Sequence, residues 1–154
     1  MPIISAPAEI PFTCLQGSPF QAVLQFFQDE AGTIPVDFTG YTFEMQIREG
    51  VADSAAPVIE TLSSDDSAAH ISFIGENTAG EPDIDGAPDP TNGMIYLSLT
   101  SGETSAMQAT KAPKPKAYPA TANFFYDIEA TPPGGEPRRI AYGTFDLSLE
   151  VTRG

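Results

Sequence analysis

The sequence predicts an all-β fold, an immunoglobulin-like antiparallel β-sandwich of about seven strands with long loops and at most one short helix. Short runs of β-favouring residues recur along the chain, and several of them alternate apolar and polar side chains. Prolines number 15 and glycines 13 among the 154 residues, which indicates frequent turns between short elements. No segment keeps the 3.6-residue periodicity of a long helix.

The clearest strand is the run from Tyr41 to Arg48, where Tyr41, Phe43, Met45 and Ile47 alternate with polar residues. A period of two places the apolar set on a buried face and the polar set in water. Other runs with strand character are 21–28, 58–62, 70–74, 94–99, 124–130 and 140–151. Residues 132–135 read Pro-Pro-Gly-Gly between the last two runs, so these two are predicted to form an antiparallel hairpin.

One helix is predicted from Ser101 to Ala109, with Ser101 as its N-cap and Glu103 in its first turn.

The chain length fits one domain, and we expect residues 12–154 to form a single β-sandwich domain. Residues 1–11 hold three prolines and predict an extended N-terminal arm. Its apolar side chains are candidates for contact with a partner: Ile3, Ile4 and Ile10. A frayed terminus is the alternative interpretation of this segment.

The formal net charge is −14, which disfavours nucleic acid and anionic membranes as partners because both are bound mainly through Lys and Arg. The first residues lack the basic region and apolar stretch of a cleaved signal, and no apolar run approaches the ~18 residues of a membrane span. We therefore expect synthesis in the cytosol.

The one cysteine, Cys14, excludes an intrachain disulfide and a four-cysteine zinc site. It is expected to be a small buried hydrophobe, and no cofactor is predicted.

The single histidine, His70, would have to serve any Ser-His-Asp or Cys-His arrangement. Alternation in the run 70–73 places His70 and Ser72 opposite Ile71 and Phe73, on the predicted solvent face. The glycine patterns of a nucleophile elbow, a Walker loop and a dinucleotide site are absent from the sequence. Carboxylates are abundant, but a single sandwich without Trp is a poor platform for glycosidase chemistry. The sequence predicts a structural or binding protein with no catalytic residues.

Two long segments interrupt the strand rhythm. In the acidic loop, 75–93, Asp83, Asp85 and Asp89 supply the hard oxygen ligands that calcium prefers. The later ligands and the closing Glu of an EF-hand are missing, so a solvated acidic loop is the preferred interpretation and a calcium site the alternative. The second segment, 110–120, is rich in Pro and Lys. Its three lysines are candidates for contact with an acidic partner, with a solubilising loop as the alternative: Lys111, Lys114 and Lys116.

Several motifs follow one another in a recognisable order. They are Q-G-S-P-F at 16–20, P-V-D-F-T-G-Y-T-F at 35–43, Y-D-I-E at 126–129, G-T-F at 143–145 and V-T-R at 151–153. Together they resemble small bacteriophage structural proteins, including the N-terminal domain of the siphophage baseplate upper protein, over residues 12–153. The chain departs from the pattern at Ser18, where an acidic residue is usual, and in its two long loops. Within these motifs, Gly40 is expected at positive φ, Phe38 and Tyr41 at one end of the core, and Tyr126 inward with its hydroxyl near the surface.

The resemblance implies a non-enzymatic structural protein of the virion, a tail, baseplate or fibre component that acts in assembly or adhesion. Its expected partners are other virion proteins and further copies of itself, with a trimer favoured, and neither nucleic acid nor a membrane. One alternative is a capsid decoration (cement) protein. Another is a carbohydrate- or calcium-binding module of a receptor-binding protein.

If the lysine loop docks on an acidic surface of a neighbouring subunit, replacing Lys111, Lys114 and Lys116 with Glu should weaken assembly. The remaining association should also depend less on salt, because the attraction between opposite charges has been removed. Sedimentation at two ionic strengths measures both effects. Unchanged assembly of the triple variant would rule out this role for the loop.

Overall fold

The computed structural model describes residues 4–49, 57–64, 70–107 and 121–149. Within these ranges the regular secondary structure is mostly β. The strands in chain order are β1 (Ala8–Glu9), β2 (Phe12–Leu15), β3 (Phe20–Gln25), β4 (Thr42–Arg48), β5 (Val58–Ser63), β6 (Ile71–Phe73), β7 (Gly75–Glu76), β8 (Pro82–Asp83), β9 (Met94–Leu99), β10 (Thr121–Thr131) and β11 (Arg138–Ser148). A 3-10 turn covers Pro90–Asn92, and one helix, α1, covers Ser101–Ala106.

Two sheets pack face to face. The larger has six strands in the order β1-β11-β10-β4-β5, with β2 also paired to β11, and the smaller has the order β3-β9-β6. This is the strand order of an immunoglobulin-type sandwich. The smaller sheet, β3-β9-β6, corresponds to the second, fifth and fourth strands of that fold, and β4, β10 and β11 of the larger sheet correspond to the third, sixth and seventh. The predicted fold class is confirmed, and all seven predicted strands are present. The pair β7-β8 forms a separate two-stranded hairpin.

The larger sheet is mixed, whereas an antiparallel sandwich was predicted. Both β1 and β2 run parallel to β11, with Ala8 beside Ala141 and Phe12 beside Phe145. Apolar alternation identifies the inward side chains of a strand but says nothing about the direction of its neighbour. The parallel edge therefore could not be derived from periodicity.

The predicted hairpin is confirmed as β10-β11, two strands of eleven residues each that are paired from Thr121–Ser148 to Ala130–Arg138. Its register shifts between Ile128 and Glu129, and the bulge leaves Ile140 and Ala141, which are adjacent, both buried. The strand predicted over 21–28 was too long, since β3 ends at Gln25. The next two residues, Phe26 and Phe27, are both buried, so the alternation of inward and outward side chains stops there.

The core lies between the sheets and is rich in Phe. At one end Phe12 packs on Phe20 and Tyr126, with ring centroids 5.4 and 4.9 Å apart. At the other end Phe38 is fully buried and its ring contacts Tyr41 and Phe43 at 5.2 and 5.1 Å, in the predicted position. Other fully buried side chains are Phe26, Phe124, Phe145, Met45, Ile47, Leu62, Ile71, Met94, Ile95, Leu97 and Met107.

Cys14 is a buried member of this core, as predicted, and burial raises the pKa of its thiol. Gly40 has φ 80°, which the turn into β4 requires and which a residue with a Cβ rarely adopts. Helix α1 begins at Ser101, within the predicted range, but its N-cap lies one residue earlier than predicted. Its N-cap is Thr100, which forms a capping box with Glu103, and the helix ends at Ala106.

None of the helices in the described ranges has the length and apolarity that a membrane span needs.

The described part of the N-terminal arm lies against the sandwich. The Ile4 N–H donates to the carbonyl of Phe27 (3.1 Å), and the Ile10 N–H donates to the carbonyl of Tyr142 (2.9 Å). Ile4 and Ile10 are both partly buried against the core. Ile3, the third predicted contact residue of the arm, lies outside the described residues. The arm lies close to β11 at Gly143, where a Cβ would lie 2.5 Å from the carbonyl oxygen of Ile10.

Gly143→Ala should therefore push the arm away from β11 and destabilise the fold by about 1–3 kcal/mol, the usual cost of overpacking. Denaturant unfolding followed by circular dichroism measures the change. The matched control is Gly102→Ala in α1, where a Cβ would meet only the Thr100 hydroxyl, at 3.9 Å. That control should be neutral or gain up to about 1 kcal/mol. Equal stability of the Gly143 variant and the wild type would contradict the close contact.

Candidate functional site

A groove crosses the outer face of the larger sheet, over β4, β10, β11 and β1, with a volume of about 240 Å³. Two neighbouring rows of side chains line it. Strand register sets one row as Gln46, Asp127, Tyr142 and Glu9, and the other as Arg48, Phe125 and Thr144. Arg139, Tyr126 and Gly143 complete the lining. The side chains of the two rows face away from the core, because the odd-numbered positions of β10 point outward while Phe124, Tyr126 and Ile128 are buried.

The bulge in the β10-β11 hairpin determines the composition of the groove. Arg139 and Tyr142 are separated by three positions, so in a regular strand they would point to opposite faces. Because Ile140 and Ala141 both turn inward at the bulge, Arg139 and Tyr142 line the same groove.

The polar side chains of the groove bind one another. Arg139 donates to the carboxylate of Asp127 at 3.2 Å, and these side chains are 50% and 30% exposed. Arg48 donates to the Gln46 amide oxygen (2.5 Å), and the Gln46 amide nitrogen donates to Glu44 (2.9 Å). Such contacts hold these planar polar groups in fixed positions.

Formal charge cancels within the lining, which holds two arginines, Arg48 and Arg139, and two carboxylates, Glu9 and Asp127. The whole chain has a net charge of −14, so the groove differs from the rest of the surface. Its aromatic members are Phe125, half-buried, and Tyr142, 38% exposed. Below them Tyr126 points inward, as predicted, and burial raises the pKa of its phenol. The protonated hydroxyl donates to the Ile10 carbonyl at 2.5 Å.

The groove was not predicted from the sequence. The alternation in β4 and β10 was used to find the core, and the opposite set of residues was assigned to solvent. One signal was present, since Phe125 is an aromatic residue at an outward position of β10. The convergence of four strands on these side chains depends on pairings that are distant in sequence.

His70 is placed differently from the prediction. Its side chain is only 15% exposed, because the Glu103 side chain of α1 reaches it: the imidazole Nε2 lies 2.5 Å from the Glu103 carboxylate. The Nδ1 atom is buried and has no hydrogen-bond partner within the described part of the chain. Burial raises the pKa of the nearby Glu60, and the charge of Glu103 raises it further.

The acidic loop is structured by its own carboxylates. Asp83 accepts a hydrogen bond from the Asp85 N–H (3.0 Å), and Asp89 accepts from the N–H and the hydroxyl of Thr91 (2.8 and 2.6 Å). The bonds from Thr91 lower the pKa of Asp89. In the ranges that the structure covers, no three His, Cys, Asp or Glu side chains come together in a way that could hold a metal ion. The three lysines of the second loop, Lys111, Lys114 and Lys116, lie outside the described residues.

No family model matches the chain, and no curated protein matches it. Among solved structures the chain is weakly similar to a family 123 glycoside hydrolase from Clostridium perfringens, described in a study of glycolipid glycan hydrolysis. The identity is 11% and the TM-score 0.30, over 95% of this chain and 24% of the other. A similarity of this strength assigns no fold or activity to the chain.

The pair of Glu103 with His70 predicts a pH dependence of stability. Burial raises the pKa of Glu103, but hydrogen bonds from Thr100 and His70 outweigh this, and the pKa lies below its ordinary value of 4.5. A carboxylate with a lowered pKa stabilises the fold above its ordinary pKa, and the stabilisation is lost as the pH falls below 4.5.

Glu103→Gln should reduce the free energy of unfolding at neutral pH by about 1 kcal/mol, and the gap to the wild type should close as the pH falls below 4.5. Denaturant unfolding across this pH range measures the gap. Glu136→Gln, at an exposed position between β10 and β11, controls for the loss of one negative charge. A gap that stays constant down to the acid limit of folding would show that the carboxylate of Glu103 is not the stabilising group.

Proposed function

We propose that the chain is a non-enzymatic structural protein of a bacteriophage virion, associated with the tail, baseplate or fibre, which acts by assembly and adhesion. The order of its sequence motifs supports the proposal, since they span nearly the whole chain. The structural observation on which it rests most is the N-terminal segment at the edge of the larger sheet.

This segment contributes to the core although it belongs to the sheet through one neighbour only. Phe12 and Cys14 of β2 are buried, and Phe12 packs on Phe20, Tyr126 and Phe145. Backbone hydrogen bonds to β11, including those of Ile10 and Gln16 at 2.9 Å each, hold the strand on its one paired side. Backbone pairing of this kind would be the same with β11 of another copy.

A terminal edge strand that fills part of the core is the element that proteins exchange when they assemble by strand addition or domain swapping. Its link to the rest of the fold is the short turn after Leu15, where the Gly17 N–H donates to the Thr104 hydroxyl (3.1 Å) and Gln16 donates to carbonyls at the end of α1. Assembly through this segment would place the protein among other virion proteins, in a homo-oligomer for which we favour a trimer.

The test is the solution mass of the full-length chain, measured by sedimentation equilibrium over a range of concentrations. A stable trimer is expected for a tail, baseplate or fibre component. A monomer at all concentrations would contradict that assignment and favour the alternative, a capsid decoration protein. An antibody to the chain distinguishes the two on purified virions, since a tail component marks one vertex and a decoration protein marks the whole shell.

A cross-link shows whether the segment is exchanged. Thr13 and Asp146 are register partners on β2 and β11, so cysteines there have the backbone proximity of a disulfide. In a Cys14→Ser background, Thr13→Cys with Asp146→Cys should give covalent oligomers on a non-reducing gel if the segment crosses between copies. Thr13→Cys alone controls for random oxidation. A cross-linked species of monomer mass only would show that each copy keeps its own strand.

A further inference from the structure

We propose that the groove on the outer face of the larger sheet is a binding site for a neutral glycan of one or two sugar rings. This site would be additional to the assembly role proposed above. The groove is lined by outward side chains of β4, β10, β11 and β1, whereas the proposed exchange concerns the backbone pairing of the N-terminal strands, β1 included, with β11.

The size of the groove limits the ligand. Its volume of about 240 Å³ is below the roughly 300–1,000 Å³ typical of sites for drug-sized molecules. An extended protein partner is poorly matched to so small a depression, whereas one or two rings of a sugar chain fit it and leave the rest of the chain in solvent.

The charge of the groove indicates a neutral ligand. Two arginines and two carboxylates cancel formally in the lining, and Arg139 is already paired with Asp127. An acidic peptide or a phosphate would need an excess of cations, and a basic ligand would need an excess of carboxylates. A neutral ligand meets neither requirement and can still use every polar group present.

The polar groups match hydroxyls in particular. A guanidinium only donates hydrogen bonds, a carboxylate only accepts them, and a side-chain amide does both. A sugar hydroxyl also does both, so it can accept from Arg139 and donate to Asp127 at once, since those two groups are 3.2 Å apart. Gln46 and Arg48 offer a second such pair, at 2.5 Å, on the neighbouring strand.

The aromatic side chains supply the apolar part of the contact. Tyr142 and Phe125 lie in adjacent rows on adjacent strands, and Tyr142 keeps 38% of its surface in solvent. A rigid aromatic ring gives a large contact area to the C–H face of a sugar ring. Because the polar groups are already held by their neighbours, a ligand would lose little affinity to ordering them.

The experiment titrates the ¹⁵N-labelled full-length chain with three neutral disaccharides, maltose, lactose and cellobiose, and follows backbone amide shifts. At least one sugar is expected to move amides of β4, β10 and β11 around Gln46, Asp127 and Tyr142. Tyr142→Ala should weaken binding by about tenfold, as expected for the loss of one aromatic contact. Tyr142→Phe keeps the ring and should retain the affinity.

The control variant is Leu15→Ala, which removes an exposed apolar side chain at 62% exposure outside the groove lining. It should bind like the wild type. The affinity should also change little between low and high salt, because no net charge is neutralised.

Three results would overturn the proposal. One is the absence of localised shifts with all three sugars, and another is binding that Tyr142→Ala leaves unchanged. The third is preferential binding of an acidic probe, a glutamate oligopeptide or glucuronic acid, with strong salt dependence, which would make the groove a site for anions. The assembly test is independent of these results, since a trimer that binds no sugar, or a monomer that does, would separate the two proposals.

Discussion

The pairing of β10 with β11 organises the larger sheet. These two strands have eleven residues each, and the other strands of that sheet extend from them: β4 pairs with β10, β5 pairs with β4, and β1 and β2 pair with β11. Their inward side chains, including Phe124, Ile128 and Phe145, form the middle of the core, and their outward side chains form most of the groove. A change in their register would therefore alter both faces of the sheet at once.

Local patterns in the sequence were sufficient for the parts of the fold that depend on local contacts. Alternation in β4 and β9 identified the inward residues, and the Pro-Pro-Gly-Gly turn identified the β10-β11 hairpin. The buried Cys14 and the positive φ of Gly40 followed from residue type. In each of these cases the deciding interaction lies within the same strand or turn, or in the general behaviour of one side chain.

What was missed depends on pairs that are distant in sequence. His70 is covered by a side chain 33 positions away, on α1, and alternation within 70–74 carries no information about that helix. The short hairpin β7-β8 within the acidic loop is supported by Asn92, whose amide donates to the Ile74 carbonyl (2.7 Å). The groove requires strands from both ends of the chain and one bulge, and a bulge changes the face of later residues without any mark in composition.

The position of β2 has a consequence for the order of folding. Phe12 is synthesised well before its neighbour Phe145, because almost the whole sandwich separates the two residues along the chain. During translation β2 must therefore remain unpaired until β11 has been synthesised, and contacts between distant parts of a chain form slowly. Where many copies are made together, this interval is also the period in which a strand can meet the β11 of a neighbouring chain before its own. The timing of synthesis, as well as the final geometry, then influences whether β2 pairs with β11 of its own chain or with β11 of another copy.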